Sequence, residues 1–365
     1  MKEVYFDNAS TALPVIAHSM GSFGNPSTTH ALGVKAYTAL SNARDEISKI
    51  LGCEKDELVF TSGGTESNNL AIIGYGDANK KKGVNFFALP WAHPSVTQAM
   101  KHISDIGVGT NVKLDLQNIK NSIAEGINFI SIPQICHETG DKYDIEGITH
   151  TIKQLNPKNI IHIDGVQGFC KEKINLKNID LYSFSGHKIH APCGIGGLYI
   201  KRGVRLLPLL FGGGQENGLR AGTHNTQGVV DLGFAAKKLH ESLGSNQKKV
   251  AEVKAEMLKL VDELESAYVN SRGESSPYIL NMSFLGAKGE VLVNMLSEKG
   301  IYASTGAACK VSIKGVQALS LMDFDKERAD SAIRFSFSHC NTVGEACLAK
   351  KAVIECVSLL RKIRR

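Results

Sequence analysis

Three groups of residues in this chain have types and spacings that could do chemistry. In Thr61-Ser62-Gly63-Gly64-Thr65-Glu66 an apolar run meets two glycines and a helix-forming stretch, with Thr65 as the expected N-cap. Backbone N–H groups and the helix dipole at such a junction make an anion site. The spacing is neither a Walker A loop nor G-x-G-x-x-G, so ATP and NAD are not implied, and taken alone an ordinary capped turn is the simpler reading. Asp164 closes a second apolar run, with Gln167 just beyond it. A carboxylate at the carboxyl end of a strand lies where α/β folds bind ligands. It could hold a pyridinium N–H and keep that ring an electron sink, although turn-starting Asp residues are common. Ser183-Phe184-Ser185-Gly186-His187-Lys188 ends a third run. A lysine partly desolvated there, beside a cationic group, can form a Schiff base. A single lysine is usually just solvated; Asp164 and Lys188 at one edge of a sheet are a sharper signal.

The elements that must position these residues read as an α/β fold. Strand-like runs stand at 58–61, 85–89, 128–132, 159–164, 181–185 and 196–200. They alternate with amphipathic stretches, which predicts a largely parallel sheet. Continuous apolar character fits strands covered on both faces. A Lys-, Glu- and Ala-rich stretch over 229–268 has helical periodicity and connects to a smaller C-terminal region. There the sequence predicts a strand over 278–284, a helix over 288–299, a polar loop around Cys309, a strand over 332–337 and a terminal helix.

Composition sets the outer limits. The chain has 365 residues, a net charge of +6 and no basic run longer than its closing Arg361-Lys362-Ile363-Arg364-Arg365, so a nucleic-acid partner is not expected. There is no apolar stretch long enough to span a membrane, nor an apolar leader at the start, which points to a cytoplasmic protein. None of the eight cysteines forms a C-x-x-C pair, and their spacings fit neither zinc nor a disulfide framework.

Together the motifs resemble the class V, fold-type I pyridoxal-phosphate (PLP) enzymes, and within them the cysteine desulfurases of the iron–sulfur-assembly group. The anchors are Tyr5-Phe6-Asp7-Asn8-Ala9-Ser10-Thr11, Phe23-Gly24-Asn25-Pro26-Ser27 with His30, and the run from Phe60 to Asn69. Ala92-His93-Pro94-Ser95-Val96, His137-Glu138-Thr139-Gly140, Ser183 through Lys188, and Gly212-Gly213-Gly214-Gln215-Glu216 with Arg220-Ala221-Gly222-Thr223 complete the set. So many motifs in one order, over nearly the whole length, are specific. The resemblance implies a large PLP-binding domain with a mostly parallel sheet (15–240) and a small α+β domain (1–14 and 241–365) carrying a catalytic cysteine loop.

It also implies roles, position by position. Lys188 would hold PLP and move protons at the substrate Cα. Asp164 would pair with the pyridine nitrogen and Gln167 with the ring hydroxyl. His93 would stack on the ring and act in acid–base steps. Gly64, Thr65, Ser185 and His187 would cradle the phosphate, and Thr223 would reach the phosphate of a neighbouring subunit in a homodimer. Cys309, in Ala303-Ser304-Thr305-Gly306-Ala307-Ala308-Cys309, resembles the nucleophile that takes sulfur from L-cysteine as a persulfide. Arg334 fits the arginine that grips the α-carboxylate, since a guanidinium can bind a carboxylate bidentately.

Three features depart from the family pattern. Cys136-His137 stands where desulfurases carry Asn-Asn, which places His137 at the ring hydroxyl and substrate carboxylate. The region between Ser10 and Phe23 is short, and the tail ends soon after Leu360, without the extension that docks a scaffold partner. The expected activity is conversion of L-cysteine to L-alanine, with sulfur passed on to an acceptor protein. A selenocysteine or related sulfur-amino-acid lyase is the near rival, and a non-catalytic PLP-fold protein that binds a sulfur carrier the distant one.

Overall fold

A computed structural model describes residues 3–14, 23–116, 118–123, 125–305 and 318–363. The chain divides into two compact units. One comprises residues 13–134 and 143–241, the other residues 1–12, 135–142 and 242–365. The segment around His137 therefore goes with the unit that carries Arg334.

Among the described residues the strands in chain order are β1 (Val4–Tyr5), β2 (Leu58–Thr61), β3 (Val84–Ala88), β4 (Gly109–Lys113), β5 (Asn128–Pro133) and β6 (Ile160–Asp164). They continue with β7 (Leu181–Ser185), β8 (Gly196–Ile200), β9 (Ala267–Val269), β10 (Ile279–Phe284), β11 (Ile301–Tyr302) and β12 (Ala332–Ser336). The larger unit holds a sheet of order β2-β8-β7-β6-β5-β3-β4. Strands β4, β3, β5, β6 and β7 run parallel, and β8 is antiparallel to both β7 and β2. Its central strands are buried throughout, as the unbroken apolar runs predict, with Phe86, Phe129, Ile132, Ile163, Phe184 and Leu198 in one core. The expectation of an α/β fold with a mostly parallel sheet is met.

The smaller unit pairs β12, β10 and β9 in an antiparallel sheet and β1 with β11 in a parallel one. Its core gathers Phe6, Met282, Phe335 and Val353, the last from the closing helix Val343–Ile363.

Two sequence-based expectations differ from the structure. The helical stretch expected over 229–268 is three helices, Thr226–Glu241, Leu243–Leu258 and Leu260–Glu263, and Tyr268 lies in β9. The breaks fall at Ser242 and Lys259, the latter with helical dihedrals, so periodicity runs on through it. Strand β4 is absent from the sequence reading because it is a mostly exposed edge strand with a single large apolar residue, Val112.

Candidate functional site

In the larger unit the sequence-predicted residues collect at strand ends. Asp164 is the last residue of β6 and Ser185 the last of β7, followed by a 3₁₀ turn, Gly186–Lys188. Because β6 and β7 are parallel neighbours, with Asp164 opposite Ser183, both ends open on one edge of the sheet.

Asp164 is 8% exposed and both carboxylate oxygens are engaged. The Val166 N–H donates to Oδ1 (3.1 Å) and Asn68 Nδ2 donates to Oδ2 (2.9 Å). Asn68 also donates to Ser95 Oγ (2.9 Å), which lies 2.8 Å from His93 Nδ1. A continuous hydrogen-bonded line thus joins His93 to Asp164 through two buried side chains. The Ser95 N–H donates to His93 Nδ1 (3.2 Å), which makes that nitrogen an acceptor and leaves the neutral ring's proton on Nε2. His93 is also the N-cap of the helix Pro94–Asp105, so its backbone is fixed by the same contact. Asn68 and Ser95 were not singled out from sequence; the one signal was their place inside the quoted motifs.

The anion site takes a different form from the one expected. The N-cap of the helix Gly64–Asn79 is Gly63, not Thr65, which sits in the first turn. Gly63 adopts φ 151°, a conformation closed to residues with a Cβ, so the helix starts two residues earlier than side-chain capping alone suggests. Gly64 packs on the Asp164 turn, where an added Cβ would lie 2.6 Å from Val166 Cγ2. Beside this helix start, Ser185 Oγ is buried and has no hydrogen-bond partner among the described residues. His187 is a poor base here: burial first, then Lys188 and Lys171, push it down to about 4, so it is neutral at physiological pH. Gln167 is buried, 3.4 Å from Lys171 Nζ.

Thr223 is exposed, on a loop anchored by Glu216. The Glu216 carboxylate accepts from Arg44 Nη2 (2.6 Å), the Phe60 N–H (2.8 Å) and His224 Nε2 (3.0 Å). Burial pushes this carboxyl up, but His224 and Arg44 outweigh it and hold it below the ordinary value. The same anchor offsets a backbone cost, since Glu216 and Asn217 both have left-handed dihedrals without being glycine. Glu216→Ala leaves Arg44 without its buried partner, and a stability loss of about 3 kcal/mol is expected, read as a lowered urea midpoint.

In the smaller unit Arg334, in β12, is 3% exposed. Its Nη1 donates to the His137 carbonyl (2.8 Å), and its Nη2 donates to Ser10 Oγ (2.8 Å) with Asp7 Oδ1 at 3.4 Å. Its Nε is buried with no partner among the described residues. His137 Nε2 lies 3.5 Å from Glu138 Oε1, and burial raises the Glu138 carboxyl against the opposing pull of Arg334. Cys136 is fully packed and burial pushes its thiol up, which makes it an inert core residue. Cys309 lies outside the described residues. Ser304, five residues before it in the sequence, exchanges two backbone hydrogen bonds with Arg334 (3.1 and 2.7 Å).

Comparison with known proteins fits this geometry. The aminotransferase class-V family profile matches residues 4–346. The chain belongs to the aminotransferase class-V family. Among its relatives, cysteine desulfurase IscS of Buchnera aphidicola subsp. Schizaphis graminum is 35% identical over 99% of this chain and 94% of its own length. The cysteine desulfurase IscS of Clostridium botulinum (strain Hall) is 34% identical over 93% and 91%. Of solved structures, a NifS-like protein superposes with a TM-score of 0.90 at 30% identity, covering 98% of this chain and all of that one. SspA in complex with cysteine gives 0.79 at 29% identity, covering 92% and 99%. The seven-stranded sheet and its companion unit are thus a class-V fold.

Proposed function

We propose that this class-V protein is a PLP-dependent cysteine desulfurase that converts L-cysteine to L-alanine and takes the sulfur on Cys309. The observation that carries the reading is the hydrogen-bonded line His93–Ser95–Asn68–Asp164 on the strand edge where Lys188 stands. The donor set suits PLP. A buried, doubly hydrogen-bonded carboxylate is what a ring N–H needs, and the orphaned Ser185 Oγ beside a helix N-terminus is what a phosphate needs. Bound PLP supplies an electron sink for charge that develops at the substrate Cα.

The chain's own residues divide the remaining work. Lys188 holds the cofactor and carries the Cα proton. Asp164 keeps the ring nitrogen protonated, with Asn68 fixing its carboxylate, and Gln167 serves the ring hydroxyl. His93 covers the ring face and acts in proton steps. The N–H groups of Gly64 and Thr65, together with Ser185 and His187, take the phosphate. Arg334 takes the α-carboxylate; its buried, unpartnered Nε is a donor waiting for a charged acceptor. His137 contributes beside it. The Cys309 thiolate attacks the substrate Sγ; the S–S bond forms as the Cβ–Sγ bond breaks, the electron pair of that bond passes to Cβ, and protonation at Cβ and Cα gives alanine while the persulfide stays on Cys309.

A homodimer is part of this reading, with Thr223 completing the phosphate site of a second copy. Large apolar side chains left exposed on the larger unit, Phe211 at 88% and Phe23 at 79%, support such a partner surface. Sulfur then passes to an acceptor protein, with iron–sulfur assembly in the cytoplasm as the setting. Among the described residues no helix is long and apolar enough to cross a membrane.

The test is paired release of sulfide and alanine from L-cysteine with a reductant. Wild type is expected to give equal amounts of both. Cys309→Ser should lose turnover by about 10³-fold or more, because no thiolate is left to accept sulfur. A PLP-loaded wild type that makes no alanine would overturn the reading.

A further inference from the structure

Thr223 sits on a loop rich in glycine, with Gly212, Gly213, Gly214, Gly218 and Gly222, a composition that leaves an untied backbone many conformations. Here the loop is tied on both sides of Thr223, and the two ties end on consecutive residues. The Gly222 N–H donates to Gln215 Oε1 (3.1 Å), and His224 Nε2 donates to Glu216 Oε1 (3.0 Å). Gly222 adopts φ 105°, where a residue with a side chain would be strained. Thr223 itself is left exposed between the two ties. A third tie lies just before them: Arg220 Nε donates to Glu66 Oε1 (3.1 Å), and Glu66 Oε2 accepts from the Ser62 N–H (2.7 Å). That contact fixes the loop to the start of the helix Gly64–Asn79. Glu216 is held in turn by Arg44 and by the Phe60 N–H in β2, so the ties lead back to the sheet.

We propose that Gln215 and His224 are positioning residues that hold Thr223 ready for the phosphate of a cofactor bound by a second copy of this chain. The inference rests on the reading that Thr223 completes that phosphate site. A loose loop loses conformational freedom when it closes on an anion, and that loss weakens binding unless the free loop is already ordered. Ties to two consecutive residues order it beforehand, and neither Gln215 nor His224 has to touch the phosphate. His224 acts here as the donor of one N–H to a carboxylate, a contact that a glutamine Nε2 can also make and an alanine cannot. Glu216 keeps Arg44 and the Phe60 N–H when the imidazole is removed, so the anchor of the loop survives and only the second tie is lost.

The experiment measures the PLP dissociation constant of the full-length chain, by titrating the cofactor back after its removal with hydroxylamine, and requires no desulfurase activity. Thr223→Val is expected to weaken PLP about tenfold, the typical contribution of one hydrogen bond to a charged group. His224→Ala should weaken it about fivefold, and His224→Gln should stay within about twofold of wild type. In the Thr223→Val background His224→Ala should add nothing, because its effect passes through Thr223. Equal weakening by His224→Ala with and without Thr223 would mark a general structural role and overturn the proposal. So would an unmoved constant in His224→Ala beside a weakened Thr223→Val. An unmoved constant in Thr223→Val would instead remove Thr223 from the phosphate site, and the proposal with it. Should His224→Ala not fold, Gln215→Ala, which cuts the other tie, is read in the same way.

Discussion

Lys188→Ala is expected to lower alanine release from L-cysteine by about 10⁴-fold or more, the upper range for removing a positioned proton-transfer group. The structure gives the reason for so large an effect. Lys188 leaves the sheet edge on the 3₁₀ turn Gly186–Lys188, beside neutral His187 and buried Lys171. His187, held down to about 4, lacks the basicity to replace it, and Lys171 is tied to Gln167. Two readouts check the result. Single-turnover alanine formation measures the loss, and borohydride reduction followed by peptide mapping should place the PLP mass on Lys188 in wild type and on no residue of the variant. Activity within tenfold of wild type would show that another amine does the chemistry.

Asp164→Asn should cost about 10²–10³-fold in kcat, which is about 2.7–4 kcal/mol of barrier, the size typical of removing one preorganised electrostatic group from an active site. The side chain keeps its shape, so PLP should still bind. In the proposed role of Asp164, what is lost is the negative charge that would hold the ring nitrogen protonated. The amide also has to compete for its contacts, because Val166 N–H and Asn68 Nδ2 both donate to this group and only the amide oxygen can accept. Asn68→Ala is the milder companion: the carboxylate stays but loses its orienting donor and its link to Ser95 and His93. A kcat for Asp164→Asn near wild type, with PLP retained, would remove Asp164 from the ring-nitrogen role.

Much of the larger unit was legible because its strands are covered on both faces. The predicted runs at 58–61, 181–185 and 196–200 coincide with β2, β7 and β8, those at 128–132 and 159–164 differ from β5 and β6 by one residue at one end, and that at 85–89 is shifted from β3 by one residue at both ends. Continuous burial leaves an apolar record that does not depend on the neighbouring strand. Strand β4 left no such record, since an edge strand needs its partner's hydrogen bonds more than a core-facing side chain.

The sequence by itself determined the order of elements and the two strand-end residues, Asp164 and Lys188, whose types already name a chemistry. Tertiary structure alone decided the rest. Gly63 rather than Thr65 caps the helix, in a φ of 151° that favours glycine. Asn68 and Ser95 become a relay because a helix face and a second helix start meet at Asp164, a coincidence between residues 68, 95 and 164 that no local pattern encodes. The sequence reading gave Arg334 a role on a strand, but only the fold shows that this charged residue is 3% exposed. Burial removes water from the guanidinium charge, which strengthens each electrostatic contact it makes.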